Sequence, residues 1–273
     1  MINIEEQYLG LMSGVLHGGK PKDDRTGTGT LSVFGRTIEH DMALGFPLLT
    51  TKRVFFNNAI VETLWILQGR SDLAYLEQGG VKYWRPDYER SGRTDGTLGR
   101  VYGVQWRDFN GIDQLKNLLS EIESNPTSRR LMVSAWNPAD MHDMALPPCH
   151  YGFQVYINDG KLDLMWQQRS VDIFLGLPYD IAIYGLLLEM LALGSGYKPG
   201  RLIAQLGDCH LYKNHIEAAT TQLQRTMKSM PKLELTNGLK LIDGEVVIPE
   251  PKDVSLVNYK YDPPIQAPLS VGK

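Results

Sequence analysis

An α+β fold is the class this sequence predicts, and three observations predict it. Apolar residues recur at helical spacing in two early segments, and two alternating segments flank a tight turn in mid-chain. Strands and helices are then mixed without the regular βαβ rhythm of a parallel α/β sheet. With 273 residues, 42% of them hydrophobic and 22% charged, the chain is long and apolar enough for a sizeable core. No repeat, low-complexity tract or Pro/Gly/Ser-rich linker divides it, so we expect one domain spanning 1–273.

Each element follows in order. Tyr8, Leu11, Met12, Val15 and Leu16 fall on one helical face within residues 5–16. Ile60, Val61, Leu64, Trp65 and Leu67 do the same over 58–68. Residues 87–100 are rich in charge and glycine and read as a mobile surface loop. A helix over 111–124 ends at Asn125-Pro126, where the proline restricts the residue before it. Arg129-Arg130 then start a strand, which would turn the two side chains to opposite faces. Another strand begins just after Cys149. Phe153, Val155 and Ile157 alternate, Asn158-Asp159-Gly160 turns the chain, and Leu162, Leu164 and Trp166 alternate back. Asp172 to Leu193 is the longest helical candidate, apolar on nearly every face and therefore central.

Composition excludes several function classes. The formal net charge of −3 argues against a general polyanion binder, so no nucleic-acid partner is expected. No uninterrupted apolar run approaches the ~20 residues of a membrane span. Met1-Ile2-Asn3-Ile4-Glu5-Glu6 lacks the basic-then-apolar order of a secretory signal. Two cysteines are too few to staple a chain of this size. A soluble, reduced, cytoplasmic protein is expected. Neither cysteines nor histidines have metal-ligand spacing, so no metal is expected, and Gly27-Thr28-Gly29 alone is a turn more than a phosphate loop.

Leu146-Pro147-Pro148-Cys149-His150 is the most suggestive short segment. Two prolines fix the backbone before a thiol, so Cys149 is either a nucleophile held near cations or a small buried hydrophobe. Arg25, Arg129, Arg130 and Arg169 sit where anion binding is plausible, and each could equally be a solvated charge. Glu62 stands on an otherwise apolar helix. It is either a buried carboxylate with a function or a charge that reaches solvent.

Longer motifs carry a resemblance. Asp24-Arg25-Thr26-Gly27-Thr28-Gly29-Thr30, Val101-Tyr102-Gly103-Val104-Gln105-Trp106, Arg129-Arg130, Trp136-Asn137-Pro138 and Met144 to His150 appear in that order. Gln168-Arg169-Ser170-Val171-Asp172-Ile173-Phe174-Leu175-Gly176-Leu177-Pro178 and Gly207-Asp208-Cys209-His210-Leu211-Tyr212-Lys213-Asn214-His215 follow. Together they resemble the thymidylate synthase family from about residue 7 to the C-terminus. The resemblance implies an α+β fold on a mixed sheet through which two subunits pack back to back as a homodimer. It implies Cys149 as the thiolate that adds to C6 of a pyrimidine nucleotide, with 5,10-methylenetetrahydrofolate as co-substrate. Arg25, Arg169 and Ser170 would hold the 5′-phosphate with Arg129 and Arg130 from the other subunit, so that each site is composite. His210 and Tyr212 would hold the deoxyribose 3′-hydroxyl, Glu62 would relay protons to the ring's 4-position, and Tyr102 would assist proton removal at C5. Asp172 would bond the folate pterin, with Trp84 and Leu146 lining the one-carbon pocket and Gly176 and Tyr179 on the folate side.

One departure matters most. In Leu177-Pro178-Tyr179-Asp180-Ile181-Ala182, Asp180 stands where thymidylate synthases carry the Asn that reads uracil. Cytosine offers an amino donor at position 4 and an acceptor at N3, the inverse of uracil. A carboxylate accepts from the amino group and faces uracil O4 with an acceptor against an acceptor. The expectation is dCMP over dUMP, as in the family's deoxycytidylate hydroxymethylases, with CMP open. A hydroxymethyl product requires water at the one-carbon unit and a methyl product a sealed site. Trp84, Leu146 and the tail Gln266-Ala267-Pro268-Leu269 resemble the sealed enzymes, whereas Gly272-Lys273 beyond the usual end, Phe55 at an often polar position and Gln167 in place of Tyr point to water entry. The rival readings are a thymidylate synthase acting on dUMP and a non-catalytic nucleotide- or RNA-binding relative.

Overall fold

Period-two alternation builds the centre of the molecule, and the computed structural model describes residues 3–271. Helix α1 (Ile4–Gly18) starts at Asn3, whose side chain accepts from the Glu5 N–H. Strands β1 (Lys20–Lys22) and β2 (Thr30–Asp41) follow, then helices α2 (Phe56–Leu67), α3 (Leu73–Gln78), α4 (Arg85–Arg90), α5 (Gly103–Arg107) and α6 (Gln114–Ser124). Strands β3 (Met132–Ser134), β4 (His150–Asn158) and β5 (Lys161–Asp172) lead to helix α7 (Leu177–Ser195), strand β6 (Lys198–Tyr212) and helix α8 (Ile216–Leu223). Two small two-stranded ribbons and a tail complete the described chain.

Six strands form one mixed sheet in the order β1-β2-β6-β5-β4-β3. Strands β5 and β6 are parallel and every other pairing in it is antiparallel. The predicted hairpin pairs Ile157 with Leu162 and Asn158 with Lys161. Its two turn residues, Asp159 (φ 50°) and Gly160 (φ 73°), have the positive φ that matches strand twist. One sheet face is closed by α1 and α7, with α2 packed on α7, and Trp65, Phe153, Trp166 and Tyr184 are wholly buried among these layers. The other face is left open, and Phe34 (81% exposed), Met132 and Tyr156 stand on it or at its edge.

Several expectations are corrected here. Asp172 ends β5, and the central helix starts only at Leu177, with proline in its first turn and Gly196 (φ 76°) closing it. That helix is long and apolar enough to cross a membrane, but most of it is buried inside the protein, which makes it the core helix. Residues 87–90 are helical, and the rest of the supposed mobile loop is pinned. Arg93 bonds Asp95 and Asp143, and Leu98 is fully buried. Arg129 and Arg130 lie in an exposed turn ahead of β3, so the opposite-face argument does not apply to them. Helix α6 begins at Gln114, where the Asp113 side chain caps it, rather than at 111.

Candidate active site

A cavity of about 620 Å³, the size of a small-molecule site, opens where β5, β6, α2, α4 and the start of α7 converge. Of the sixteen residues singled out from the sequence, fourteen line it: Arg25, Glu62, Trp84, Tyr102, Leu146, Cys149, Arg169, Ser170, Asp172, Gly176, Tyr179, Asp180, His210 and Tyr212. Arg129 and Arg130 do not reach it within this chain. Phe55 and Gln167 are also outside its wall.

Cys149 sits one residue before β4 and is braced from three sides. Its N–H donates to Tyr102 Oη at 2.9 Å, and its carbonyl accepts from the Arg169 N–H at 2.8 Å. The Arg169 side chain donates to the carbonyls of Pro148 and Pro147, both at 2.9 Å, which fixes the two prolines ahead of the thiol. Burial pushes the Cys149 thiol up to about 11; Arg169 opposes this, while Asp180 and Asp87 push the same way. Arg169 is thus the cation beside the thiol, and its pull is outweighed by burial. Tyr102 reaches it through a strained backbone, φ 34° and ψ −96°, conformations that bulky residues avoid. The next residue must be glycine, because a Cβ on Gly103 would lie 2.1 Å from the Ile66 carbonyl oxygen.

Glu62 is buried on α2 and does not reach solvent. Trp84 Nε1 donates to its Oε1 at 2.8 Å and the Tyr83 hydroxyl donates to its Oε2. Burial raises its carboxyl above the ordinary value, with those two donors opposing.

Asp180, in the first turn of α7, is a buried carboxyl on the cavity wall. Gln168 Nε2 donates to its Oδ2 at 2.7 Å. The amide of Gln168 cannot turn round, since its Oε1 accepts from Trp166 Nε1 at 3.1 Å. Among the described residues no cation compensates Asp180: His150 Nε2 stands 3.8 Å from Oδ1, and burial pushes that imidazole down to about 3, toward its neutral form. Burial pushes the Asp180 carboxyl up to about 7; Gln168 opposes, and Glu62 and Asp172 add to the rise.

At the far end, Asp172 Oδ1 accepts from the N–H groups of Phe174 and Leu175 at 3.0 and 3.1 Å. Asp208 accepts from Lys22 and Ser32, and His210 Nδ1 lies 3.1 Å from the Asp208 carbonyl. The tail crosses the mouth: Arg25 Nη1 donates to the Val271 carbonyl at 3.0 Å, and Leu269, Ser270 and Val271 line the wall. Gly272 and Lys273, where a displaced tail was expected, lie outside the described residues.

A bound carboxylate, a thiol, fixed arginines and aromatic walls suit covalent chemistry on a flat heterocycle carrying an anionic group. The thymidylate synthase family model matches residues 6–271. The chain belongs to that family. As a thymidylate synthase family protein it is a one-carbon transferase, acting at C5 of a pyrimidine nucleotide with methylenetetrahydrofolate as co-substrate. Family members are usually dimeric, and the uncovered sheet face carries the apolar side chains such a contact needs. Among the described residues no group of three or more His, Cys, Asp or Glu side chains is placed to hold a metal ion.

Sequence reasoning missed Asp87, Tyr83 and Lys22 on the cavity wall. For Asp87 the signal was present. Arg85-Pro86 is a helix start, which puts Asp87 three residues from Trp84 and on its face.

Proposed function

We propose that this protein transfers a one-carbon unit from 5,10-methylenetetrahydrofolate to C5 of dCMP and releases the 5-hydroxymethyl nucleotide. The observation that carries this reading is Asp180, a carboxyl on the cavity wall with one oxygen held by Gln168 and, among the described residues, no cation beside it. Its other oxygen accepts from a cytosine 4-amino group, and its proton serves N3. When the Cys149 sulfur bonds to C6, electron density moves toward N3, and a carboxyl near neutrality is matched to donate there. Ionised Asp180 against uracil leaves two acceptors facing each other in a buried site.

The remaining roles follow from placement. Arg25, Arg169 and Ser170 receive the 5′-phosphate, with Arg129 and Arg130 supplied across the open sheet face by a second copy of the chain. His210 and Tyr212 face the sugar hydroxyl. Glu62 moves a proton at position 4, and Tyr102, against both the thiol and its N–H, takes part in proton removal at C5. Trp84, Leu146, Asp172, Gly176 and Tyr179 form the folate side, and the folate supplies the methylene carbon.

One observation favours dUMP under acid conditions. A protonated Asp180 offers uracil O4 the donor that the ionised form denies it, so dUMP use rises relative to dCMP as pH falls below about 7. The binding test is calorimetry at pH 8. The expected result is dCMP at least about tenfold tighter than dUMP, a difference of about 1.4 kcal/mol. Equal affinities would remove Asp180 as the reader of the base.

A further inference from the structure

Hydroxymethylation needs a group that takes a proton from water beside the one-carbon unit, and the residues already assigned leave that role unfilled. Both oxygens of Glu62 are engaged, by Trp84 and by Tyr83. Asp180 is held by Gln168 and faces the base in the reading above. The Tyr102 hydroxyl accepts from the Cys149 N–H, and His150 Nδ1 pairs with the Tyr184 hydroxyl at 2.9 Å.

Asp87 lines the same cavity and is only 8% exposed. It lies in α4 three residues after Trp84, so the indole and the carboxylate share one helix face. The Trp84 ring packs 5.8 Å from the Tyr102 ring, which carries the hydroxyl that contacts Cys149. The Asp87 charge also acts on the Cys149 thiol. One oxygen, Oδ1, accepts from Arg90 Nη2 at 2.7 Å, and among the described residues no donor reaches Oδ2. Among the described residues the buried Nε of Arg90 has no hydrogen-bond partner. A first-turn carboxylate on the wall of a reaction cavity, fixed through one oxygen and with the other unclaimed by any described donor, is arranged to orient a water.

We propose that Asp87 is the general base that delivers water to the one-carbon unit, and so sets a hydroxymethyl rather than a methyl product. This rests on the dCMP reading. Loss of the C5 proton and departure of the folate nitrogen leave an exocyclic methylene on C5, conjugated with C4. The water oxygen bonds to that carbon while its proton passes to Asp87, and the C=C electron pair moves to the ring. Re-forming C5=C6 breaks the C6–S bond and returns Cys149 as thiolate, and Asp87 passes its proton to solvent. Carbon keeps its oxidation level, so no hydride donor is consumed.

The test uses dCMP tritiated at C5 with methylenetetrahydrofolate, and reads tritium release, which precedes water addition, beside product mass. Wild-type protein is expected to give one 5-hydroxymethyl nucleotide per tritium released. In Asp87→Asn that ratio is expected to fall at least tenfold, and added 2-mercaptoethanol should divert the methylene to a thioether adduct. Asp87→Ser should behave alike, and Asp87→Glu should recover part of the ratio, which a purely structural role would not predict. An unchanged ratio in Asn and Ser variants that still release tritium overturns the role of Asp87. A methylated product from wild-type protein overturns it too, while leaving dCMP as substrate. Tritium released by the wild type from dUMP alone would overturn the dCMP reading itself.

Discussion

At the scale of single residues, Asp180 sets the terms. Its folded value lies above the ordinary carboxyl range because burial outweighs the Gln168 hydrogen bond. A group whose value is raised on folding contributes stability below its unfolded value, and this is lost as pH rises through the folded value. Urea unfolding should therefore show Asp180→Asn more stable than wild type at pH 8, by about 2–4 kcal/mol, with the gain shrinking toward pH 4. A constant difference across pH would assign the change to packing. The same substitution should move preference toward dUMP by at least about tenfold in kcat/KM. The Gln168 amide, locked by Trp166, makes an Asn turn its carbonyl inward and its NH2 to position 4, where uracil O4 accepts and the cytosine amino group clashes. An unshifted ratio would place base selection elsewhere. Cys149→Ser should cost at least about 10³-fold in turnover with nucleotide binding retained, since a serine hydroxyl is a far weaker nucleophile. Retained turnover would remove Cys149 from the chemistry. Most residues on the cavity wall were legible in sequence because they lie in the motifs that carry the resemblance, whereas Glu62 and Trp84 lie outside them. The upward push on the Cys149 thiol was not legible, since it depends on how deeply the fold buries the thiol against Asp180 and Asp87.

At the scale of elements, the strand pairings and helix positions are carried by local chemistry. The hairpin declared itself through alternation and a positive-φ turn. The boundary at residue 172 did not, because Asp172 to Gly176 is as apolar as the helix that follows. What separates them is tertiary: Asp172 bonds the turn's N–H groups, and buried Lys52 donates to the Phe174 carbonyl. The segment at 87–100 departs from a mobile loop for a related reason, since its charges pair with one another and with Asp143 and so hold the backbone in place. Another buried charge ties elements together. Glu5 of α1 is fully buried and accepts four hydrogen bonds at 2.8 Å from the N–H and hydroxyl groups of Thr50 and Thr51. Glu5→Ala strands four donors and should destabilise the fold by about 3–5 kcal/mol in denaturant titration. A loss below about 1 kcal/mol would mean that water replaces the carboxylate.

At the scale of the whole molecule, the sheet divides the labour: one face is filled by helices and shapes the cavity, and the other is open. Arg129 and Arg130 stand outside the cavity of their own chain, which is where a donated pair belongs. Mixing inactive Arg130→Ala and Cys149→Ala subunits should restore about a quarter of wild-type activity, since half the dimers are mixed and each holds one intact site. No rescue in verified mixed dimers would count against the shared site. A composite site is invisible to periodicity, because a single chain's pattern says what is buried within it and not what a second copy brings. The claim on which the rest depends is the base, and one measurement reaches it directly. The protein is incubated at pH 8 with methylenetetrahydrofolate and either dCMP or dUMP tritiated at C5, and tritium release to water is followed. Release from dCMP, with little from dUMP, is the predicted result; release from dUMP alone would contradict it.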